Sequence, residues 1–442
     1  MTPDLVARFW LVELHVRLPA WLRGITSASA SVAVKRPGSS KKPLEPAPQP
    51  APYKPTHYRH IIYAYDVMEE KCEIPVLEHD PFDFLDPQKT LVPPENTILI
   101  DPVAVGLPWF STMKGTPQCI HWREAEAAGL ELIEQVMAAR GAGAVIPEKL
   151  KTSDQRRKMM ELVETAVTIC IYLYAVSDAA RIRVLTKSIV FLFLHDDVME
   201  SKANAEGNSI LEGWDTDTFK ANELEGESRN DIFLDFCREA IALDPVLGLE
   251  LMQDTVRWAR YSRVNSTKAD KTHATWQDFR DFRELDIAYD FMITAVRFGA
   301  AILYDPAERP VFEWIEKLYI RHCLYINDLY SYEKEFREHQ QEGAPLHNSV
   351  HMIEQVLSVP PGSAKAILRS VLWDCERQVR EEYVRLMQLP ELTHTQKVYL
   401  QRLIESFAGN YMYSMSTYRY ARLSGKLIGP PPEDCLLKNY VQ

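Results

Sequence analysis

The stretch Pro310–Gln340, PVFEWIEKLYIRHCLYINDLYSYEKEFREHQ, decides the fold class. Its apolar residues recur at helical spacing from end to end, the mark of a long helix with one face in a core. The same period governs residues 121–140, 155–176, 178–195, 229–241, 246–263, 276–301, 346–357, 364–386 and 393–422. No stretch keeps the alternating period of a strand for more than a few residues. About ten helices follow, too many for a simple four-helix unit. The expected fold is therefore all-α, a helical bundle over residues 121–442 that can surround a central apolar cavity.

Hydrophobic residues make up 46% of the 442 and aromatics 10%, enough to line a sizeable interior. The formal charge of -12, from 62 acidic against 50 basic residues, excludes the basic surface of a nucleic-acid binder. A small anionic substrate stays open, because a few local cations override a negative global field. The seven cysteines (72, 119, 170, 237, 323, 375, 435) are scattered, with no CxxC pair and no zinc spacing. They read as reduced, buried thiols in a cytoplasmic protein. Arg8, Glu13 and Arg17 interrupt the N-terminal apolar run, so no transmembrane span is expected.

Residues 1–55 read as an N-terminal extension. Positions 2–23 carry bulky apolar groups around a helical repeat, which fits a targeting or membrane-surface helix, an accessory helix packed on the body, or a poorly ordered extension. The run KKPLEPAPQPAPYKP, residues 41–55, is a polyproline-type linker. Residues 56–120 mix Pro, Asp and short apolar runs and read as irregular wrapping structure with one or two short helices.

Two segments carry chemistry. SIVFLFLHDDVMESK, residues 188–202, sets Asp196, Asp197 and Glu200 directly after the most hydrophobic helix. Asp196 and Glu200 share a helix face at the negative end of the dipole, so either something positive compensates them or they form a solvated acidic helix terminus. Hard oxygen ligands in such a place suit Mg²⁺. In YINDLYSYEKE, residues 325–335, Asn327, Ser331 and Glu335 follow at intervals of four and span about 80° of helix surface. All three offer oxygen, either to one point or as a polar stripe on a surface helix, and side chains lean toward the helix N-terminus, which draws Glu335 back toward Ser331.

The pattern DDxxE at Asp196, followed 131 residues later by NDxxSxxKE at Asn327, resembles the aspartate-rich and NSE motifs of class I terpene synthases, in their fungal sesquiterpene form. The resemblance covers about residues 115–425. It implies an all-helical fold with both motifs at the mouth of an apolar pocket. Three Mg²⁺ ions would be held there by Asp196, Asp197, Glu200, Asn327, Ser331 and Glu335, around the diphosphate of a prenyl substrate. It also implies Arg283, 44 residues before Asn327, as the diphosphate sensor in preference to Arg280. Arg419 and Tyr420 match the Arg-Tyr pair of fungal members, and Lys334 their motif lysine. Read from the residues alone, Arg283 could instead pair with Glu284 or Asp286, and Arg419 could cap the last helix. Glu200 stands in place of a final aspartate, and His195 has no assigned role.

The implied activity is Mg²⁺-dependent ionisation and cyclisation of farnesyl diphosphate to a polycyclic sesquiterpene or its alcohol. The Pro-rich extension is similar to that of longiborneol synthases and implies longiborneol as the product. Geranylgeranyl diphosphate is the alternative substrate. A chain-elongating prenyl diphosphate synthase would carry a second DDxxD, and a protonating cyclase a DxDD, of which DTDTF at 215–219 lacks the third aspartate. A helical scaffold or binding protein would explain the fold but not six oxygen ligands beside three cations. Tyr172, Phe191, Phe193, Tyr289, Phe407 and Tyr411 are the candidates for cavity walls, plain core packing being the other reading of each, and one of Phe191 and Phe193 is expected to turn into the core. Monomer and homodimer both remain open.

Overall fold

The structure, a computed structural model, describes residues 58–68, 72–75, 77, 80–90, 92–138, 153–200, 232–266, 273–304, 306–421 and 426–427. The chain divides into two units, Met1–Tyr53 and Lys54–Gln442. The first unit lies outside the described residues, and with it the amphipathic segment and most of the Pro-rich linker behind the longiborneol expectation. Cys435 and the DTDTF string lie outside them too.

The described part of the second unit is a helical bundle. Its α-helices are α1 (Trp122–Ala138), α2 (Ser153–Leu173), α3 (Ala179–Glu200), α4 (Ile232–Leu243), α5 (Leu247–Ser266) and α6 (Trp276–Asp286). There follow α7 (Tyr289–Gly299), α8 (Glu313–Glu342), α9 (Ser349–Leu357), α10 (Pro361–Met387), α11 (His394–Ser416) and α12 (Tyr418–Ala421). Helix α3 is apolar on nearly every side and is packed accordingly by α1, α2, α4, α5 and α7. Helix α8 rests on α10 and α11, and α11 closes the ring against α2. At that last crossing a Cβ on Gly409 would stand 2.1 Å from the Tyr172 carbonyl oxygen, so only glycine allows the two helices to meet.

Two expected helices are broken. Residues 276–301 form α6 and α7, separated at Ala288, which is left-handed with φ 67°. Such a backbone is costly for alanine, and neither Gly nor Pro marks the place. The carbonyl of Asp286, freed at the end of α6, accepts from Trp258 Nε1 on α5 at 2.9 Å. Residues 393–422 likewise split at Thr417, whose extended backbone (ψ 141°) turns α12 away from the axis of α11. The acidic motif also sits inside the last turns of α3, not beyond its end.

The wrapping segment is not irregular throughout. Strands β2 (Thr97–Ile100) and β3 (Thr116–Cys119) pair antiparallel, with Thr97 opposite Cys119 and Ile100 opposite Thr116. A short β1 (Tyr63–Ala64) pairs with β4 (Lys426–Leu427), and a 3₁₀ turn covers Asp83–Leu85. No α-helix forms among the described residues before Trp122. The apolar run Thr97–Ile100 is too short for helical periodicity to oppose pairing. Cys72 is exposed, contrary to expectation, whereas Cys119, Cys170, Cys237, Cys323 and Cys375 are buried free thiols. Burial pushes the Cys119 thiol up to about 12.

Candidate active site

A cavity of about 220 Å³ lies inside the ring. Ile169 and Leu173 of α2, Tyr174 beyond it, and Ile189, Leu192 and Phe193 of α3 supply apolar walls. Trp258 of α5, Ile287 and Ala288 at the helix break, and Phe291 and Met292 of α7 continue them. The remaining lining is polar or charged: Asp196 on α3, Arg283 and Asp286 on α6, Asn327, Ser331, Lys334 and Glu335 on α8, Asn410 and Tyr413 on α11, and Arg419 and Tyr420 on α12.

The α8 face is built as its spacing requires. Asn327, Ser331 and Glu335 all line the cavity, and Asn327 Nδ2 donates to the Tyr420 hydroxyl at 2.7 Å. Glu335 is held from behind by Asn348, whose Nδ2 donates to Glu335 Oε2 at 2.9 Å and to the Asp328 carbonyl at 2.8 Å. Asn348 is also the N-cap of α9, its side chain accepting from the Val350 amide. One short side chain thus ties the start of α9 to the motif helix.

Arg283 is buried and forms ion pairs with both Asp286 and Asp328. Asp328 is fully buried and accepts from the Ser349 amide at 2.7 Å and from its hydroxyl at 2.6 Å. Burial works against the guanidinium charge, but Asp328, Asp286 and Glu335 outweigh it and raise the Arg283 pKa. Glu284 belongs instead to Arg321, which donates at 2.7 Å, and lies 3.6 Å from Arg280. Of the two arginines on α6, Arg283 lines the cavity and Arg280 does not.

Burial raises the Glu335 carboxyl pKa, Asp328 adds to that, and Arg283 and Lys334 pull it back. Lys334 reaches Glu338 at 2.7 Å, and the Arg419 guanidinium stands 5.1 Å over the Phe193 ring. Burial also raises the Tyr420 hydroxyl, which keeps it a neutral donor. Short α12, which carries Arg419 and Tyr420, is framed from outside: Glu164 accepts from the Tyr418 amide at 3.3 Å, and Tyr63 of β1 packs on Tyr418 at 5.1 Å.

The donor set suits a hard divalent cation, since an amide, a hydroxyl and a carboxylate share one helix face and the Asp196 carboxylate lines another wall. Such a cation would also relieve the buried Glu335 carboxylate. Among the described residues no three Asp, Glu, His or Cys side chains converge on one point. Asp197 and Glu200 close α3, and their side chains lie outside the described residues.

Of the six expected wall aromatics, Phe193 lines the cavity and five do not. Phe191 packs between Phe233 and Phe236 at 5.2 and 5.1 Å, on the outward side of α3. Phe407 sits against His322 and Tyr319, and Tyr411 against Trp109 and Phe110, on the face of α11 turned away from Asn410 and Tyr413. Tyr172 accepts from Gln118 at 2.8 Å beneath the wrapping segment, and Tyr289 starts α7 beyond the break. The walls are Tyr174, Phe193, Trp258, Phe291 and Tyr413 instead. His195 anchors α3 to α5, its Nε2 standing 2.9 Å from the Ala259 carbonyl.

Residues 187–378 match the family described as terpene synthase family 2, C-terminal metal binding. Terpene cyclase 6 of Gibberella fujikuroi is 32% identical over 332 residues, 75% of this chain and 87% of that protein. Aristolochene synthase of Aspergillus terreus is 24% identical over 60% of this chain and 83% of its own length. The crystal structure of aristolochene synthase from Penicillium roqueforti shares the fold, with a TM-score of 0.51 at 19% identity over 66% of this chain and 95% of that one. The chain belongs to the terpene synthase family, as a terpene cyclase of the fungal class I type. It is a lyase whose substrate is a prenyl diphosphate, and it comes from a family with a metal-binding C-terminal region.

Proposed function

We propose that this cyclase is a sesquiterpene synthase that ionises farnesyl diphosphate with Mg²⁺ and closes the cation into a polycyclic product or its alcohol. The reading is carried by one juxtaposition: the Asn327, Ser331 and Glu335 face, Asp196 and the cations Arg283, Lys334 and Arg419 line the same cavity as an apolar, aromatic wall. Three Mg²⁺ ions, held by Asp196 with Asp197 or Glu200 and by Asn327, Ser331 and Glu335, would neutralise the charge that grows on the leaving group.

Arg283, Lys334, Arg419 and Tyr420 donate hydrogen bonds to the phosphate oxygens. Arg283 arrives already oriented, because Asp286 and Asp328 hold it from two sides. Leu173, Ile189, Leu192, Phe291 and Met292 exclude bulk water from the allylic cation. The π faces of Phe193, Trp258 and Tyr174 stabilise positive charge without adding to it.

The fifteen-carbon choice is taken from the likeness of the motif set to fungal sesquiterpene cyclases, and a relative named a diterpene synthase is matched over only part of its length. Terpene cyclase 6 is covered over 87% of its length, whereas the cyclopiane-type diterpene synthase of Penicillium chrysogenum is covered over 33%. Purified enzyme offered farnesyl and geranylgeranyl diphosphates in competition should give a cyclic fifteen-carbon product, with kcat/KM for the longer substrate at least about tenfold lower. A twenty-carbon product in excess would overturn the choice of substrate.

A further inference from the structure

Two residues lining the cavity carry a buried donor nitrogen with no hydrogen-bond partner among protein atoms, Arg283 Nε and Asn410 Nδ2. Arg283 belongs to the diphosphate end. Asn410 does not. It is 5% exposed, and it sits six residues before the end of α11 at Ser416, roughly 9 Å along the helix from the end that leads into Arg419 and Tyr420. The chain direction of α2 agrees. Glu164 meets Tyr418 near the mouth, whereas Tyr172 meets Gly409. Asn410 therefore lies level with Leu173 and Tyr174 in the apolar depth of the cavity. The tight approach at Gly409 fixes the rotation of α11 there.

An unpaired amide in an apolar wall is costly, and leucine would fill the same volume without that cost. A prenyl chain brings no acceptor to this depth, since its acceptors are all on the diphosphate. Water does. The neighbouring amide of the lining is already engaged, since Asn327 donates to Tyr420.

Building on the cyclase reading above, we infer that Asn410 Nδ2 holds one water in the apolar end of the cavity and that this water captures the final carbocation, so that the product is an alcohol. The water accepts from Nδ2 through one lone pair and forms the new C–O bond through the other. No carbon bond breaks. The oxonium formed then passes one proton to the released diphosphate, the base that ionisation leaves in the cavity. Asn410 positions the nucleophile and itself gains and loses no proton.

The test is turnover of farnesyl diphosphate in H₂¹⁸O with gas chromatography–mass spectrometry of the products. The wild type should yield a cyclic alcohol bearing ¹⁸O. Asn410→Leu should lower the alcohol fraction at least about tenfold in favour of hydrocarbons while diphosphate release stays within about threefold of wild type. Asn410→Ser, which keeps a donor, should restore part of the alcohol. If Asn410→Leu fails to fold, Asn410→Ala serves the same comparison. A wild-type product that is a hydrocarbon, or an alcohol fraction unchanged in the apolar variant, overturns the inference and leaves the cyclase reading standing. Absence of diphosphate release from the wild type overturns the cyclase reading itself.

Discussion

Two buried ionic clusters share helix α8, and they differ in how fully their charge is met. Glu376 of α10 accepts from Ser111 at 2.8 Å, from the Thr112 amide at 2.8 Å and from the Thr112 hydroxyl, with His322 at 3.5 Å. Arg380 braces the cluster through the Glu376 and Thr112 carbonyls and Asp80. Burial works to raise the Glu376 carboxyl, but His322, Arg380 and Thr112 prevail and hold it below the usual carboxylate range. Around Glu335 the balance reverses, and burial with Asp328 prevails over Arg283 and Lys334. The first cluster is closed and clips the wrapping segment to the bundle. The second opens on a cavity and is left short of positive charge. Buried charge as such is therefore no guide to function; an unmatched charge facing space is.

This contrast can be broken at several points. The largest effect is expected at the open cluster. Glu335→Gln or Asp196→Asn should cut product formation about a thousandfold or more while thermal unfolding stays close to wild type, measured by turnover and calorimetry on the same preparations. Loss of the fold alongside activity would make Glu335 a structural group like Glu376. Next comes Asp328→Asn, which strips Arg283 of a fully buried partner. It should cost roughly 3 kcal/mol in denaturant unfolding and also raise KM for the substrate, because Arg283 is no longer oriented. Glu376→Gln should cost about 2 kcal/mol at neutral pH with kcat within about twofold of wild type. Its folded pKa is lowered, so the stabilisation is present above the ordinary carboxylate pKa and lost as pH falls through the folded value. The gap between wild type and variant should close on acidification.

The smallest effect should have the opposite sign. Glu405 on α11 carries a buried, unpartnered Oε1, and burial raises its carboxyl to about 7 despite Arg402. A raised acid favours folding below its ordinary pKa and loses that contribution as pH rises through the folded value. Glu405→Gln should therefore match wild type at about pH 4 and exceed its stability at about pH 8, by about 1–2 kcal/mol.

The helical class and the α8 triad were readable because both rest on helical period, which the chain displays openly from Trp122 onward. The breaks were not. Ala288 and Thr417 turn the chain without Gly or Pro, Thr417 in ordinary extended backbone, and the left-handed strain at Ala288 is offset by contacts distant in sequence, such as Trp258 with the Asp286 carbonyl. Those breaks are what bring Arg283 and Arg419 to one cavity. The walls were illegible for a different reason. Phe191 and Phe193 have the same chemistry, and apolar spacing does not separate a cavity face from a core face. Asp328 and Asn348 escaped because they stand behind the motif, although Asp328 adjoins Asn327 and an acid amid apolar neighbours signals a buried partner.

The most direct measurement is incubation of the purified chain with farnesyl diphosphate and Mg²⁺, following diphosphate release and volatile products together. The account predicts one cyclic fifteen-carbon product per diphosphate released, with both abolished by chelator and restored by added Mg²⁺. Diphosphate release that persists in chelator, or products that are linear only, would contradict it.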